Sequence, residues 1–284
     1  MIRRVGVVGC GLMGSGIAEV AARAGYEVVV REVSDELLAR GLDRIDASMR
    51  RAVERGKLSE ADRQAARRRI SGTTALEDLA DVDFVVEAVV EKMDEKKAVL
   101  HALDRLTRSE VVLTSNTSSL SITELAAATD RPDRVAGMHF FNPVPVMPLV
   151  EIVRGLRTSD ATIAAVEAMA ASLGKRVVHA KDAPGFIVNR LLVPFLLDAV
   201  RVYEAGIATR EDIDAAVTLG LNHPMGPLTL LDFVGLDTTY YIAEAMYHDT
   251  KDPRWAPPVL LKQMVAAGWW GRKTGRGFYE YDGG

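Results

Sequence analysis

The sequence predicts an α/β domain over residues 1–182, built on a mostly parallel sheet, followed by a smaller all-α domain over residues 183–284. Three observations carry this expectation. Short apolar runs alternate with longer helical patterns over about the first 180 residues, as in parallel strands joined by covering helices. A glycine-rich turn, Gly9-Cys10-Gly11-Leu12-Met13-Gly14, follows the first of these runs directly. Near Asp182-Ala183-Pro184-Gly185 the strand signals stop at a Pro/Gly break, and the chain then reads as helix to about Gly268.

The strand runs are Arg4 to Val8, Glu27 to Arg31, Val82 to Ala88, Val111 to Thr114 and Val135 to His139. Between them, Val99, Leu103 and Leu106 recur at i, i+4, i+7 within a charged stretch, which predicts a surface helix lying on a sheet. Residues 34–70 hold about two helices' worth of Ala, Arg, Glu and Leu with no strand signal between, a helical excursion from the sheet. A long apolar helix is expected from Phe186 to about Tyr203.

Composition narrows the function. With 284 residues, 48% hydrophobic and 26% charged, the chain is an ordinary globular protein able to bury a core without metal or disulfide staples. A net charge of −4 argues against a nucleic-acid partner or a membrane-surface binder, so an anionic ligand would need a local basic patch. The single cysteine, Cys10, excludes an intrachain disulfide framework and any multi-cysteine zinc site, which suits a reducing cytoplasm. The chain runs from Met1 almost directly into its first strand, so no signal peptide is expected. The longest stretch without a formal charge, between Asp214 and Asp232, is broken by His223-Pro224 and Gly226-Pro227 and is no transmembrane helix.

The glycine turn sits between a strand and a good helix former, the context of a dinucleotide-binding, Rossmann-type domain. Gly9 permits the tight turn, Gly11 lets the backbone approach a pyrophosphate, and Gly14 lets helix and strand pack closely. The helix start offers unpaired N–H groups and a positive dipole end to phosphates. Glu32 follows the third glycine by 18 residues, where a carboxylate accepts hydrogen bonds from a ribose and repels a 2′-phosphate. NAD is therefore favoured over NADP, with adjacent Arg31 arguing the other way and FAD a further alternative.

Of five histidines, His139 stands apart because it ends an apolar strand. A proline-rich reversal, Phe140 to Pro148, leads from it into Leu149-Val150-Glu151-Ile152-Val153. An unpaired carboxylate in such a strand would cost several kcal/mol, and the reversal can return Glu151 to His139. Two readings stand: a structural ion pair, or a general base whose tautomer the carboxylate fixes. The carboxyl end of a strand is where ligands bind in open α/β sheets.

These residues resemble the L-3-hydroxyacyl-CoA dehydrogenases, with the length of the stand-alone bacterial 3-hydroxybutyryl-CoA enzymes. The resemblance covers nearly the whole chain: the glycine turn ending Met13-Gly14-Ser15-Gly16, Ser115-Asn116-Thr117-Ser118-Ser119-Leu120, His139-Phe140-Phe141-Asn142-Pro143, Asp182 to Arg190, His223-Pro224-Met225-Gly226-Pro227, Gly235-Leu236-Asp237 and Lys273 to Tyr279. It implies that His139 takes the proton of the substrate C3 hydroxyl while hydride passes to the nicotinamide, with Glu151 orienting the imidazole. It further implies that Ser118 and Asn189 hydrogen-bond the reacting oxygen or the neighbouring thioester.

The resemblance also implies cofactor contacts at Gly9, Gly11, Leu12, Met13, Gly14, Glu32, Glu91, Lys96, Ser118, Asn142 and Lys273. Glu32 stands where the family more usually has aspartate. CoA contacts are implied at Ser48, Arg55 and Ser118, helped by Arg51 and Lys57, which would supply cations on a net-negative protein. A homodimer through the C-terminal domain, which also contributes to the substrate cleft, is part of the same expectation. Two other functions stay open on the residues themselves: a dehydrogenase of a small hydroxy acid or sugar acid on the same scaffold, and a nucleotide sensor without turnover.

Overall fold

In the computed structural model, which describes residues 2–281, the apolar runs pair as one eight-stranded sheet. The strands are β1 (Arg4–Val8), β2 (Glu27–Arg31), β3 (Ile70–Thr73), β4 (Phe84–Glu87), β5 (Val112–Ser115), β6 (Val135–Phe140), β7 (Leu149–Arg154) and β8 (Arg176–Lys181). Their spatial order is β3-β2-β1-β4-β5-β6-β7-β8, and every neighbouring pair is parallel except β6 with β7. Strands β4, β5 and β6 are buried along their whole length, as expected of central strands covered on both faces. Strand order reverses between β1 and β4, which opens a crevice at their carboxyl ends.

Six helices belong to this sheet: α1 (Leu12–Arg23), α2 (Asp35–Glu54), α3 (Glu60–Arg68), α4 (Met93–Leu106), α5 (Ile122–Ala126) and α6 (Asp160–Ser172). Helix α1 is buried from Gly14 to Ala22, where every residue but Glu19 is small or β-branched and Glu19 pairs with Arg23 at 3.1 Å. In α2, Leu38, Gly41, Ile45 and Met49 form one buried stripe, and Ser34 caps the helix by accepting the Leu37 N–H. The excursion is thus two helices folded back on α1. It returns through β3, for which Ile70-Ser71-Gly72-Thr73 carries one large apolar residue and therefore little strand signal. Asp182 closes this unit by accepting from the Ser121 hydroxyl and the Ile122 and Thr123 N–H groups at the start of α5.

Packing divides the chain between Ala183 and Pro184. The second unit holds α7 (Val188–Glu204), α8 (Arg210–Gly220), α9 (Pro227–Val234), α10 (Leu236–Thr250) and α11 (Val259–Ala266) around Leu197, Leu231, Leu236, Met246, Trp255 and Leu261. Asp214 accepts the Leu228 and Thr229 N–H groups at 2.8 and 3.0 Å, so α9 begins on a buried carboxylate. Asp232 accepts the Phe278 and Tyr279 N–H groups, and a Cβ on Gly277 would come within 2.0 Å of its Oδ1. The Lys273 to Tyr279 motif therefore has a packing role as a strap over this core. Among the described residues no helix is long and apolar enough to cross a membrane.

Candidate active site

The antiparallel register of β6 and β7 places His139 directly opposite Glu151. Their side chains meet with Nδ1 and Oε2 at 2.7 Å; Glu151 is fully buried and His139 is 6% exposed. The imidazole also lies against Phe141, with ring centroids 4.6 Å apart. A buried charge-assisted bond of this length fixes the ring's orientation and tautomer. The Asn116 side chain accepts the Phe140 N–H at 2.9 Å and so ties the end of β6 to the loop after β5, where Ser118 sits half-buried.

Glu91 organises that serine loop. Its Oε1 accepts from the Thr117 hydroxyl at 2.6 Å, the Ser118 N–H at 2.8 Å and the Ser118 hydroxyl at 3.2 Å. Its Oε2 lies 3.3 Å from Lys96 Nζ. Burial opposes ionisation of Glu91, but the Lys96 ammonium and the bonds from Thr117 and Ser118 outweigh it and hold the carboxyl below the usual range. Lys96 itself is 1% exposed, with Nζ on Glu87, the Val89 carbonyl and Glu91. Sequence reasoning missed Glu87, whose only cue is an acidic residue ending an apolar strand.

At the glycine turn the geometry fits a dinucleotide. A side chain on Gly14 would run into the Gly9 carbonyl at 1.8 Å, and one on Gly9, at φ +96°, into the Ala88 carbonyl at 2.6 Å. Gly11 has open space where a Cβ would stand. The start of α1 has no side-chain cap and no acidic residue in its first turn, which suits an approaching anion. Leu12 is exposed and Met13 half-buried beside it. Glu32 lies one residue beyond the end of β2, its Oε2 accepting the Cys10 N–H at 2.8 Å and its Oε1 the Val33 N–H at 2.7 Å.

Of the CoA candidates, Ser48 and Arg51 line one pocket of about 90 Å³ together with Asn142, Arg44 and Glu19. Arg55 and Lys57 are exposed at and beyond the end of α2 and do not line it. Beyond Pro145, which borders both spaces, lies a pocket of about 610 Å³ with Arg23, Arg69 and Lys175 on its walls, none singled out from the sequence. In the second unit, Asn189 is the second residue of α7, and Lys273 pairs with Asp237 at 2.6 Å.

Comparison with known proteins gives the family. The family described as "3-hydroxyacyl-CoA dehydrogenase, NAD binding domain" matches residues 4–183, and "3-hydroxyacyl-CoA dehydrogenase, C-terminal domain" matches residues 185–281. A 3-hydroxybutyryl-CoA dehydrogenase of Mycobacterium tuberculosis is 55% identical over 282 residues, 99% of each chain. One from Bradyrhizobium diazoefficiens is 47% identical, covering 100% of this chain and 97% of the relative. The crystal structure of (S)-3-hydroxybutyryl-CoA dehydrogenase PaaH1 from Ralstonia eutropha superposes with a TM-score of 0.95 at 48% identity, covering 100% of both chains. A Rossmann-type NAD-binding domain and a helical C-terminal domain thus define an oxidoreductase. The chain belongs to the 3-hydroxyacyl-CoA dehydrogenase family, and its cofactor is NAD.

Proposed function

We propose that the protein interconverts a short-chain 3-hydroxyacyl-CoA, 3-hydroxybutyryl-CoA, and the corresponding 3-oxoacyl-CoA, with His139 as general base in oxidation and general acid in reduction. The observation that carries this reading is the buried 2.7 Å bond from His139 Nδ1 to Glu151 at the crevice side of the sheet. With Nδ1 on the carboxylate, the imidazole exchanges the substrate's hydroxyl proton at Nε2, and Glu151 stabilises the imidazolium that results. Ser118, whose backbone N–H is held on Glu91, turns its hydroxyl proton from that carboxylate to the reacting oxygen or thioester carbonyl when substrate binds. NAD, when bound, supplies the acceptor for the hydride released from C3. Glu32 orients the adenosine ribose, while Gly9, Gly11, Leu12, Met13 and Gly14 shape the pyrophosphate seat; Glu91 and Asn142 make further contacts from this unit, and Lys96, which is buried, acts on the site through Glu91.

The names of the relatives support the short acyl chain. Arg51, with Arg44 in the same pocket, supplies the local cations that CoA phosphates require on an acidic protein, and Ser48 adds a hydroxyl beside them. Exposed Leu191, Leu219, Leu221, Phe233 and Tyr241 on the second unit support a homodimer through that unit, which light scattering tests by returning twice the 30.9 kDa chain mass. Buried, unpaired Cys10 suits a reducing cytoplasm.

The decisive assay mixes the protein with acetoacetyl-CoA and NADH and follows loss of reduced-nicotinamide absorbance. Turnover that falls by about 10²- to 10⁴-fold in His139→Gln, with NADH affinity unchanged, is expected of a lost general acid. Near-wild-type turnover in that variant defeats the assignment of His139.

A further inference from the structure

The mechanism above leaves unused a fully buried carboxylate beside the strand that leads into the serine loop. Glu87 is the last residue of β4 and has 0% exposure. Its Oε1 accepts from Lys96 Nζ at 2.8 Å and the Val89 N–H at 2.6 Å, and its Oε2 accepts the Ser115 hydroxyl at 2.6 Å. Lys96, projecting from α4, spans from Glu87 to Glu91, and Glu91 in turn holds the Ser118 N–H and hydroxyl. The groups thus form one chain: sheet carboxylate, helix ammonium, loop carboxylate, serine.

We infer that Glu87 is a positioning residue for the reaction, acting through Lys96 and Glu91 to set the Ser118 hydroxyl. The inference rests on the dehydrogenase reading of Ser118 given above. Two physical arguments support it. A buried ion pair is a poor source of stability, because desolvating both charges offsets much of their attraction and an apolar pair of similar volume does as well. Two carboxylates on one ammonium also make a directional device. Glu87, anchored to strand β4 and to Ser115 of β5, holds the ammonium in place, so the ammonium can draw only the loop carboxylate toward itself. If Glu87 loses its charge, Lys96 turns wholly to Glu91 and pulls it away from Thr117 and Ser118. A hydroxyl misplaced by even about 1 Å costs on the order of a hundredfold in rate where orientation matters.

The test is a double-mutant cycle between Glu87→Gln and Ser118→Ala, read as kcat and KM for acetoacetyl-CoA with NADH as reductant. In the wild-type background Glu87→Gln is expected to lower kcat about ten- to a hundredfold. In the Ser118→Ala background the same substitution is expected to cost less than about twofold, since its target is gone. Glu87→Asp, which keeps the charge but shortens its reach to Lys96, gives the same pattern at smaller amplitude and replaces Glu87→Gln if that variant does not fold. Equal losses in both backgrounds, or a lowered melting temperature with kcat intact, would show a purely structural pair and overturn the inference. A wild-type protein that does not turn over acetoacetyl-CoA at all defeats the dehydrogenase reading itself, before any variant is compared.

Discussion

Gly41 of α2 lies flush against Cys10 of the glycine turn: a Cβ on Gly41 would stand 2.2 Å from Cys10 Sγ and 2.6 Å from its carbonyl oxygen. Three residues on, Arg44 donates to that same carbonyl at 3.1 Å. The helix that carries Ser48 and Arg51 is thereby registered on the glycine turn. Gly41→Ala gains about 1 kcal/mol of helix propensity, but one of the groups it overlaps is backbone and cannot swing aside. We expect a net loss of about 1–3 kcal/mol, seen as a lower melting temperature, and a raised KM for NADH and acyl-CoA together. An unchanged KM for both would mean that α2 and the turn are not coupled.

The Cys10 thiol is inert by the same packing. Burial, and then the Glu32 charge, push its pKa up to about 11 against the opposing pull of Arg44. At about pH 8 only about one molecule in a thousand would carry the thiolate that reacts with disulfide reagents. The folded protein should therefore resist a chromogenic disulfide such as Ellman's reagent at that pH and titrate one thiol once denaturant is added. Prompt labelling of the native protein would contradict this account.

What could be read in advance follows from burial. Strands β1, β4 and β6 are central, so their sequences are apolar runs that stand out. Strands β3 and β8 lie at the two edges of the sheet, where Ile70-Ser71-Gly72-Thr73 and Arg176-Val177-Val178-His179 need bury only part of each strand, and neither was expected. His139 and Glu151 could be paired because a short reversal separates two apolar strands, leaving the carboxylate few places to go. Lys96 could not, since a lysine on a helix otherwise rich in charge reads as solvated, and only the tertiary fold drives its ammonium onto Glu87. Resemblance, not residue pattern, pointed to Asn189 and Lys273, because no local feature of a helix start or a glycine-rich strap signals a ligand contact.

Glu91 gives the serine loop a pH dependence whose sign can be worked out. Its carboxyl is held below the usual range in the folded protein, so between the folded and unfolded pKa values the unfolded chain binds more protons. Stability from this group is complete above the unfolded value of about 4.3 and is lost as pH falls through the folded value. The stability difference between wild type and Glu91→Gln should accordingly be largest near about pH 7 and shrink near about pH 3.5. Urea unfolding midpoints at the two pH values measure it, and a difference that grows in acid would reverse the assignment.

Glu32 is the residue whose removal should change cofactor choice. Both its oxygens are pinned, Oε2 on the Cys10 N–H and Oε1 on the Val33 N–H, so the carboxylate cannot turn away from a ligand seated beside the turn. Two like charges about 4 Å apart near a protein surface repel by at most about 4 kcal/mol, and screening reduces this to a discrimination of about ten- to a hundredfold against a 2′-phosphate. In Glu32→Ala the repulsion disappears while Arg31 remains at the end of β2. We expect the ratio of kcat/KM with NADPH to that with NADH to rise by about that factor. NADPH should gain through its KM, and NADH should lose because the ribose has lost its acceptor. Steady-state assays with both cofactors decide the matter: a ratio unchanged in Glu32→Ala would place the discrimination elsewhere in the turn.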